Sequence, residues 1–531
     1  MRTFLVVLIP LGLAMAQHHA APAPEKPVVL YKGLGAWHHP IATRSPEAQK
    51  YFDQGLALLY GFNRYESLRS FRKASELDPQ AAITYWGMAM AQGPYINMDG
   101  DPSYDLKGAC AAIESGRKLT GAPEREKVYL EAVATWCSDS PPAAYPTAMR
   151  ALAARYPDDL DALTIYAESL MIPTRWHWYS ADGTPAEGVA EAEHALEAVL
   201  RRWPDHVGAN HYYIHAVESS PTPERAIQAS LKLMGQVSGM GHLVHMPGHI
   251  WLVLGDWETA VDVNTRAVAA DREYFAATNV TGTYFPYYLH NLDFIRYARS
   301  MQGNKAEAFR AAETMSAGAA PMVQVMPDMA EQITPAVLFT HLRFADWSYI
   351  LKSPQPDEKL RVSTAVWRMA RCLALAGRGD QAGAAREREA FESARNTLPA
   401  DSSWGQNKTA AVFTMASEIL AARIAGAPQE TVEHWQRAVS LQDGLTYDEP
   451  PAWYYPLRES LGAALLRAGQ AEEAEKVFRD GVKRSPRNGR MLFGLMESLK
   501  AQGKTEATDD VKREFDANWA KADVKLRLED L

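Results

Sequence analysis

The sequence predicts an all-α protein in which helix–turn–helix units of about 34 residues stack into a superhelix, an α-solenoid. Two segments, one near each end, repeat the same plan of apolar and small residues, and alanines recur at a fixed interval through the middle of the chain. The alternation of apolar and polar residues that marks a half-buried strand is scarce throughout. We therefore expect helices that pack on their sequence neighbours, arranged in two arms.

The first residues have the layout of an export signal. "MRTFLVVLIPLGLAMAQ" places one arginine before an apolar run that ends in small residues. This pattern predicts a secretory signal peptide over 1–16, cleaved between Ala16 and Gln17, with an uncleaved anchor as the alternative. No later segment reaches the roughly 18 apolar residues of a membrane span. We expect an exported protein, periplasmic or secreted, with no transmembrane helix in the mature chain and a flexible leader over 17–44.

The repeat unit is clearest in "YFDQGLALLYGFNRYESLRSFRKASELDPQ" and "YYPLRESLGAALLRAGQAEEAEKVFRDGVKRSPRN". Each has a glycine at the small position where two helices touch, an inward alanine and phenylalanine on the second helix, and a closing proline. In the first segment these are Gly55, Phe71, Ala74 and Pro79; in the second they are Gly462, Phe478, Ala474 and Pro486. Gly469 is expected to end the first helix of the second segment.

The period continues between these segments. Ala192, Ala226 and Ala260 are 34 residues apart, and Ala308 follows 48 residues later, which predicts an insertion of about 14 residues. "ILKSPQPDEKL" has the proline and charge content of a junction. We predict an N-terminal arm over 45–315, a connecting segment over 316–359 and a C-terminal arm over 360–531.

Several segments together resemble a known group of proteins: "SPEAQKYFDQGLALLYGFNRYESLRSF", "YWGMAMAQGPYIN", "HLVHMPGHI", "YYLHNLDF" and "YDEPPAWYYPLRESLGAALL". The set is similar to exported bacterial tetratricopeptide (TPR) repeat proteins over essentially the whole mature chain. The group has no established biochemical activity. The resemblance therefore implies a fold and export, and it implies no reaction.

Histidines gather between positions 211 and 290. If Ala226 and Ala260 mark position 20 of their units, His211 and His245 both fall at position 5, and His215 and His249 both fall at position 9. In tetratricopeptide superhelices positions 2, 5, 9 and 12 line the concave groove, as the resemblance implies. Positions 2, 5 and 12 then add four further residues to the same groove: His242, His290, Asp293 and Glu218.

Imidazoles four residues apart on a helix share a face and can chelate one ion, with a neighbouring helix completing the shell. We therefore predict a transition-metal site, zinc or copper, formed by His211, His215, His242, His245, His249, His290, Glu218 and Asp293. Three alternatives stay open. Pro247 could start the helix near Met246 and leave His242 and His245 in a loop. The histidines could bind a ligand without metal, or they could be structural.

The favoured function is a binding protein whose concave groove takes a peptide, a protein or a small polar ligand. The alternatives are a metal-dependent enzyme with Glu218 or Asp293 as general base, and a metal-free scaffold for envelope protein assembly. The formal charge of −9 is spread along the chain, so no nucleic-acid partner is expected. The motifs of nucleotide and dinucleotide sites are absent from the sequence, so no nucleotide cofactor is expected.

Two further features allow alternative interpretations. "DEPPAWYYP" places Asp448 and Glu449 before a Pro-Pro turn, either as a loop that caps the groove or, the interpretation we favour, as a rigid entry into the next helix. In an oxidising compartment Cys110 and Cys137 could form a disulfide, whereas Cys372 lies in an apolar helical run and is expected to be a buried thiol.

Overall fold

The computed structural model describes residues 26–98, 103–138, 143–280, 282 and 284–531. The predicted signal peptide lies outside these residues. Within them the protein is an α-solenoid of tetratricopeptide type, which confirms the predicted fold class. The described part of the chain contains no helix whose length and apolar content together would allow it to cross a membrane.

The first half of the solenoid consists of fifteen helices within the described ranges. They are α1 (Pro46–Tyr60), α2 (Arg64–Leu77), α3 (Ala82–Met90), α4 (Leu106–Arg117), α5 (Glu124–Ala134), α6 (Ala144–Arg155), α7 (Leu160–Met171), α8 (Val189–Arg202), α9 (Val207–Glu218), α10 (Ile227–Gln236), α11 (Gly241–His245), α12 (Pro247–Val253), α13 (Trp257–Thr278), α14 (Phe285–Met301) and α15 (Lys305–Ala319).

The second half continues with short helices and then returns to regular pairs. Its elements are α16 (Met322–Val325), α17 (Pro327–Ile333), α18 (Ala336–Arg343), α19 (Trp347–Lys352), α20 (Arg361–Gly377), α21 (Gln381–Arg395), β1 (Ser403–Trp404), β2 (Asn407–Lys408), α22 (Thr409–Ile424), α23 (Pro428–Asp443), α24 (Arg458–Arg467), α25 (Ala471–Arg484), α26 (Gly489–Ala501) and α27 (Thr505–Asn518). The antiparallel pair β1–β2 is the only sheet among the described residues.

The glycines predicted at the contact between paired helices allow the two helices to pack closely. A Cβ on Gly55 would lie 2.8 Å from the ring of Phe71, and one on Gly462 would lie 2.4 Å from the ring of Phe478. Only glycine therefore permits this close approach of ring and backbone. The repeat-marking alanines are all fully buried: Ala74, Ala192, Ala226, Ala260, Ala308 and Ala474.

The spacing change before Ala308 has a structural counterpart in α13. This helix runs for 22 residues, longer than the second helices of the neighbouring units, and a loop follows it before α14. The extra residues lengthen the helix and its loop, so α14 and α15 still pack as a regular pair.

Part of the predicted leader, residues 26–44, lies against the N-terminal arm. The buried carboxylate of Asp161 on α7 accepts hydrogen bonds from Trp37 Nε1 (2.9 Å), Tyr60 OH (2.6 Å) and His39 Nδ1 (2.7 Å). Satisfying a buried carboxylate requires such donors, and this segment supplies two of them, Trp37 and His39. The structure thus differs from the sequence prediction, which placed the whole leader in a flexible tail.

The two halves of the solenoid contact each other at several points. The indole of Trp257 donates to the carbonyl of Arg487 (3.2 Å), and the carboxylate of Asp523 accepts from the backbone N–H groups of Lys305 and Ala306 (2.7 and 2.9 Å). Cys110 within α4 and Cys137 in the short 3-10 turn that follows α5 form a disulfide. Cys372 is buried, as expected.

Candidate metal centre

Four helices of the middle units bring the predicted histidines together. His211 and His215 lie on α9, His242 and His245 on α11, His249 on α12 and His290 on α14. The first five are 0–2% exposed, and His290 is half-buried. The expectation of histidines on an open groove surface therefore changes: the six side chains form a buried cluster, which we call the histidine chamber.

Pro247 breaks the hydrogen-bonding pattern without displacing the histidines. It occupies the first position of α12, where its missing N–H costs least, and Met246 keeps helical backbone angles between α11 and α12. His242 and His245 consequently lie on a helical turn. The expected pairing of His245 with His249 is preserved, because their Nε2 atoms are 2.7 Å apart.

The six imidazoles divide into two groups of three. In the first triad, His211, His215 and His242, one ring nitrogen from each residue lies within 4.8 Å of the others. The Nε2 atoms of His211 and His242 are 3.2 Å apart. Nε2 of His215 and Nδ1 of His242 are buried and have no hydrogen-bond partner among the described residues.

In the second triad, His245, His249 and His290, one ring nitrogen from each residue also lies within 4.8 Å of the others. Its ring centroids are 4.6 Å apart for His245 and His249 and 4.9 Å apart for His245 and His290. The two triads adjoin each other, since the rings of His215 and His249 are 5.6 Å apart.

Oxygen acceptors fix the orientation of four imidazoles through Nδ1. His211 Nδ1 is 2.5 Å from the carbonyl of Tyr60, and His245 Nδ1 is 2.6 Å from Asn264 Oδ1. His215 Nδ1 is 2.8 Å from Glu218 Oε1, and His249 Nδ1 contacts Glu218 Oε2. Because these acceptors require an N–H at Nδ1, a neutral ring carries its lone pair on Nε2, inside the chamber. Ligating histidines are held in the same way at metal sites.

A loop of the C-terminal half closes the chamber. Glu449 Oε2 lies 2.5 Å from His249 Nδ1, and the hydroxyl of Tyr447 lies 3.4 Å from Glu218 and 3.2 Å from Glu449. The sequence interpretation favoured a rigid helix entry for "DEPPAWYYP" and did not include Glu449 in the site. The structure supports the capping alternative for the acidic end of that segment, because Glu449 reaches the histidines.

A cavity of about 890 Å³ adjoins the chamber between the two halves. His215, His242, His290 and Glu449 contribute to its wall, so both triads are reached from it. Asp293 also lines the cavity, but its Oδ1 accepts from Arg296 Nε at 2.5 Å, and it belongs to neither triad. Of the eight predicted ligands, the structure therefore brings together six histidines with Glu218 beside them.

Burial keeps five of the six imidazoles neutral at physiological pH. It lowers the pKa of His215 to about 3 and that of His290 to about 4, and it lowers the pKa of the other three well below their usual range: His211, His242 and His245. Neutral imidazole is the form that binds a metal, so these rings need not lose a proton on binding.

His249 differs from the other five. Burial would lower its pKa, but the charges of Glu449 and Glu218 outweigh burial and raise it to about 10. Burial and the charge of Glu218 raise the pKa of Glu449 in turn. His249 is therefore an imidazolium held between two carboxyl groups, and a metal bound at Nε2 would replace the proton on that atom.

Two aromatic residues with left-handed backbone pack on the first triad. Phe62 has φ +55°, and its ring centroid is 4.5 Å from that of His211 and 5.0 Å from that of His242. Trp176 has φ +64° and lies 5.8 Å from His215. Such angles are uncommon outside glycine and cost about 1 kcal/mol or more, and they concentrate at functional sites. Phe62 was not predicted as part of the site.

Two further groups of close ligand atoms exist besides the triads. One spans the triads and consists of His215, Glu218, His249 and Glu449, and the other, His39, Asp159 and Asp161, lies elsewhere in the N-terminal arm. Arg125 makes an ion pair with Asp159 at 2.6 Å, and its guanidinium lies 3.1 Å from His39 Nε2. A cation already occupies this position, and Asp161 is fully hydrogen-bonded. The group therefore fits an anchor for the N-terminal segment better than a metal site.

No family model and no curated protein matches the chain. Similar solved structures include a human IFIT1 dimer with m7Gppp-AAAA, at 9% identity and TM-score 0.35, covering 91% of this chain and 92% of that one. Yeast Tom70 follows at 12% identity and TM-score 0.27, covering 88% and 90%. The P58(IPK) TPR domain has 11% identity and TM-score 0.21, covering 86% and 99%. At these values the likeness concerns helical repeats and assigns no ligand or activity.

Proposed function

We propose that the protein binds a transition-metal ion, zinc or copper, in the histidine chamber and takes a small polar ligand in the adjoining cavity. One observation carries the proposal: four imidazoles have Nδ1 anchored to an oxygen acceptor and direct Nε2 into a shared space. Imidazole nitrogens suit both zinc and copper, so the donors do not choose between these metals.

The energetics of the metal-free chamber support the same proposal. A buried polar atom without a partner costs about 1–3 kcal/mol, and native structures contain few such atoms. Here Nε2 of His215 and Nδ1 of His242 are both in that condition. The other Nε2 atoms pair as hydrogen bonds between imidazoles, His211 with His242 and His245 with His249. A metal ion would take the free lone pair on Nε2 of His215, which a purely structural role leaves without a partner.

Elemental analysis of protein purified without a histidine tag tests the proposal. We expect bound zinc or copper in wild type and its loss in His215→Ala/His249→Ala, which removes one ligand from each triad. His194→Ala/His434→Ala is the matched control, since it removes two histidines outside the chamber and should retain the metal. Metal that persists in the chamber variant, or no metal even after reconstitution, would refute the assignment.

The cavity favours a second candidate, a metal-dependent enzyme. A bound zinc ion would supply Lewis acidity to a polar group of the ligand. Of the acidic residues, Glu449 fits a general base best, since it lines the cavity and its pKa is raised by burial and by Glu218. Glu218 is occupied by two imidazoles, and Asp293 is paired with Arg296.

A panel of chromogenic ester, amide and phosphate substrates tests this second candidate. We expect zinc-dependent turnover that Glu449→Gln abolishes while the metal stays bound. The control Asp293→Asn should retain turnover. Metal-loaded protein without activity towards any substrate class would favour binding alone.

The metal-free scaffold for envelope proteins remains the third candidate, and burial of the histidines disfavours their direct contact with a protein partner. Export is also part of the proposal, and the Cys110–Cys137 disulfide supports it, because disulfides persist in oxidising compartments. N-terminal sequencing of protein from the envelope fraction should give Gln17 as the first residue. An intact Met1 in that fraction would contradict cleavage.

A further inference from the structure

We infer that the histidine chamber holds two metal ions, one in each triad, with the carboxylate of Glu218 linking the two. This inference rests on the proposed metal binding and adds to it the number of ions and their coupling. The two triads share no residue: His211, His215 and His242 form one, and His245, His249 and His290 form the other.

The number of donors is the first argument. Zinc in proteins is almost always four-coordinate at structural sites, and a reactive ion keeps one position open beside three protein ligands. A single ion in the chamber would leave at least two buried imidazoles without a metal. Two ions with three histidines each would use all six, and each would keep a fourth position. His215 and His242 of one triad and His290 of the other also line the cavity, so a ligand could reach both positions.

The spacing of the donors is the second argument. Two imidazole nitrogens bound to one tetrahedral zinc at about 2.0–2.1 Å stand about 3.3 Å apart. The Nε2 atoms of His211 and His242 are 3.2 Å apart, which agrees with that value. Those of His245 and His249 are 2.7 Å apart, a hydrogen-bond distance between the two rings. Binding of both nitrogens to one zinc ion requires an opening of about half an ångström.

Glu218 occupies the position that links the triads. Its Oε1 accepts from His215 in the first triad, and its Oε2 accepts from His249 in the second. One carboxylate therefore orients a ligand of each ion. Together with Glu449, it also places two negative charges beside the chamber. Carboxylates behind ligating histidines orient the rings and raise their basicity, and here one group does so for both ions.

The test counts zinc ions per chain after chelator treatment and equilibrium dialysis against Zn²⁺. We expect two ions in wild type, one in His242→Ala and one in His290→Ala, and less than one in the double variant. His242 and His290 both line the cavity, and each substitution removes one ligand from one triad, so the two variants are a matched pair. Co²⁺ absorption in the same variants gives a second readout, and each single variant should lose the bands of one ion only.

The outcomes separate the two claims. One ion in wild type that both single variants weaken would overturn the two-ion inference and leave the proposed metal binding intact. No ion in folded wild type would overturn both. If the alanine variants fail to fold by circular dichroism, His242→Gln and His290→Gln replace them under the same expectation. Two ions that persist in both glutamine variants would also overturn the inference.

Discussion

Replacing Glu218 by glutamine tests the link between the triads. The carboxylate accepts two Nδ1–H groups, one from His215 and one from His249. A glutamine of nearly the same shape offers one oxygen and one NH₂ group, so it can accept from only one of the two imidazoles. The other imidazole must turn, or it must move its proton to Nε2 and so lose the lone pair that faces the chamber.

The expected effect follows from comparable positions at metal sites. Loss of an acceptor behind a ligating histidine lowers metal affinity about 10- to 100-fold. This corresponds to about 1.4–2.7 kcal/mol of binding free energy. Because Glu218 contacts one histidine of each triad, Glu218→Gln should weaken the binding of both ions, whereas His290→Ala should weaken only one. The two variants therefore differ in the number of ions that they affect.

The assay is competition for Zn²⁺ between the protein and a chelator of known affinity, at pH 7.5 and constant ionic strength. Glu197→Gln is the control: Glu197 Oε1 also accepts two side-chain hydrogen bonds, from Tyr213 (2.8 Å) and Arg225 (2.8 Å), outside the chamber. Its affinity should equal that of wild type. A Glu218→Gln affinity within twofold of wild type, in protein with unchanged circular dichroism, would refute the role assigned to Glu218.

Three further predictions concern pH and stability. Metal affinity should rise with pH by up to tenfold per unit between about pH 6 and 9, because at a pH below the raised pKa of His249 binding must displace its proton. Titration calorimetry in buffers of different ionisation enthalpy should show one proton released per protein. An affinity that does not change with pH would contradict this prediction. Replacing Cys110 and Cys137 by serine should lower the free energy of unfolding by about 3–4 kcal/mol in urea, since the bond closes a loop with a sequence separation of 27 residues. Gly462→Ala should lower the free energy of unfolding by about 1–3 kcal/mol, because the added Cβ would lie 2.4 Å from the ring of Phe478. Gly235→Ala, with open space around it, should not lower it, and thermal melts of both variants measure the difference.

The repeat fold was predictable because its signals are local. Alanines 34 residues apart and the Gly–Phe contact between paired helices depend only on neighbours within one unit. The same register placed His211 and His245 at equivalent positions, and the structure brings both into the chamber. The register could not show that a distant segment covers the histidines. That segment is residues 447–449, which begin 146 residues after the end of α14.

Phe62 was missed although the sequence contains a signal for it. In five other helix pairs the second residue after the first helix is a glycine with positive φ: Gly255, Gly303, Gly379, Gly469 and Gly503. In the first pair the equivalent residue is Phe62, with φ +55°, and its ring packs on His211 and His242. A bulky residue at a glycine position of the repeat indicates a requirement other than the turn.

Glu449 shows why the acidic part of the site lay beyond a repeat-based prediction. "DEPPAWYYP" does lead into α24, and Trp453, Tyr454 and Tyr455 are buried in the C-terminal core, so the favoured local interpretation holds for the aromatic residues. The residues before the two prolines have a second role, which becomes visible only when the superhelix brings this turn against α12. A carboxyl group from one half of the solenoid then meets an imidazole from the other, at 2.5 Å.

The contact between Glu449 and His249 also couples the packing of the two halves to the protonation of His249. Either charge, buried without its partner, would be costly. The proposed metal, on binding, would replace the proton of His249, and the carboxylate of Glu449 would remain as the charge that balances the metal.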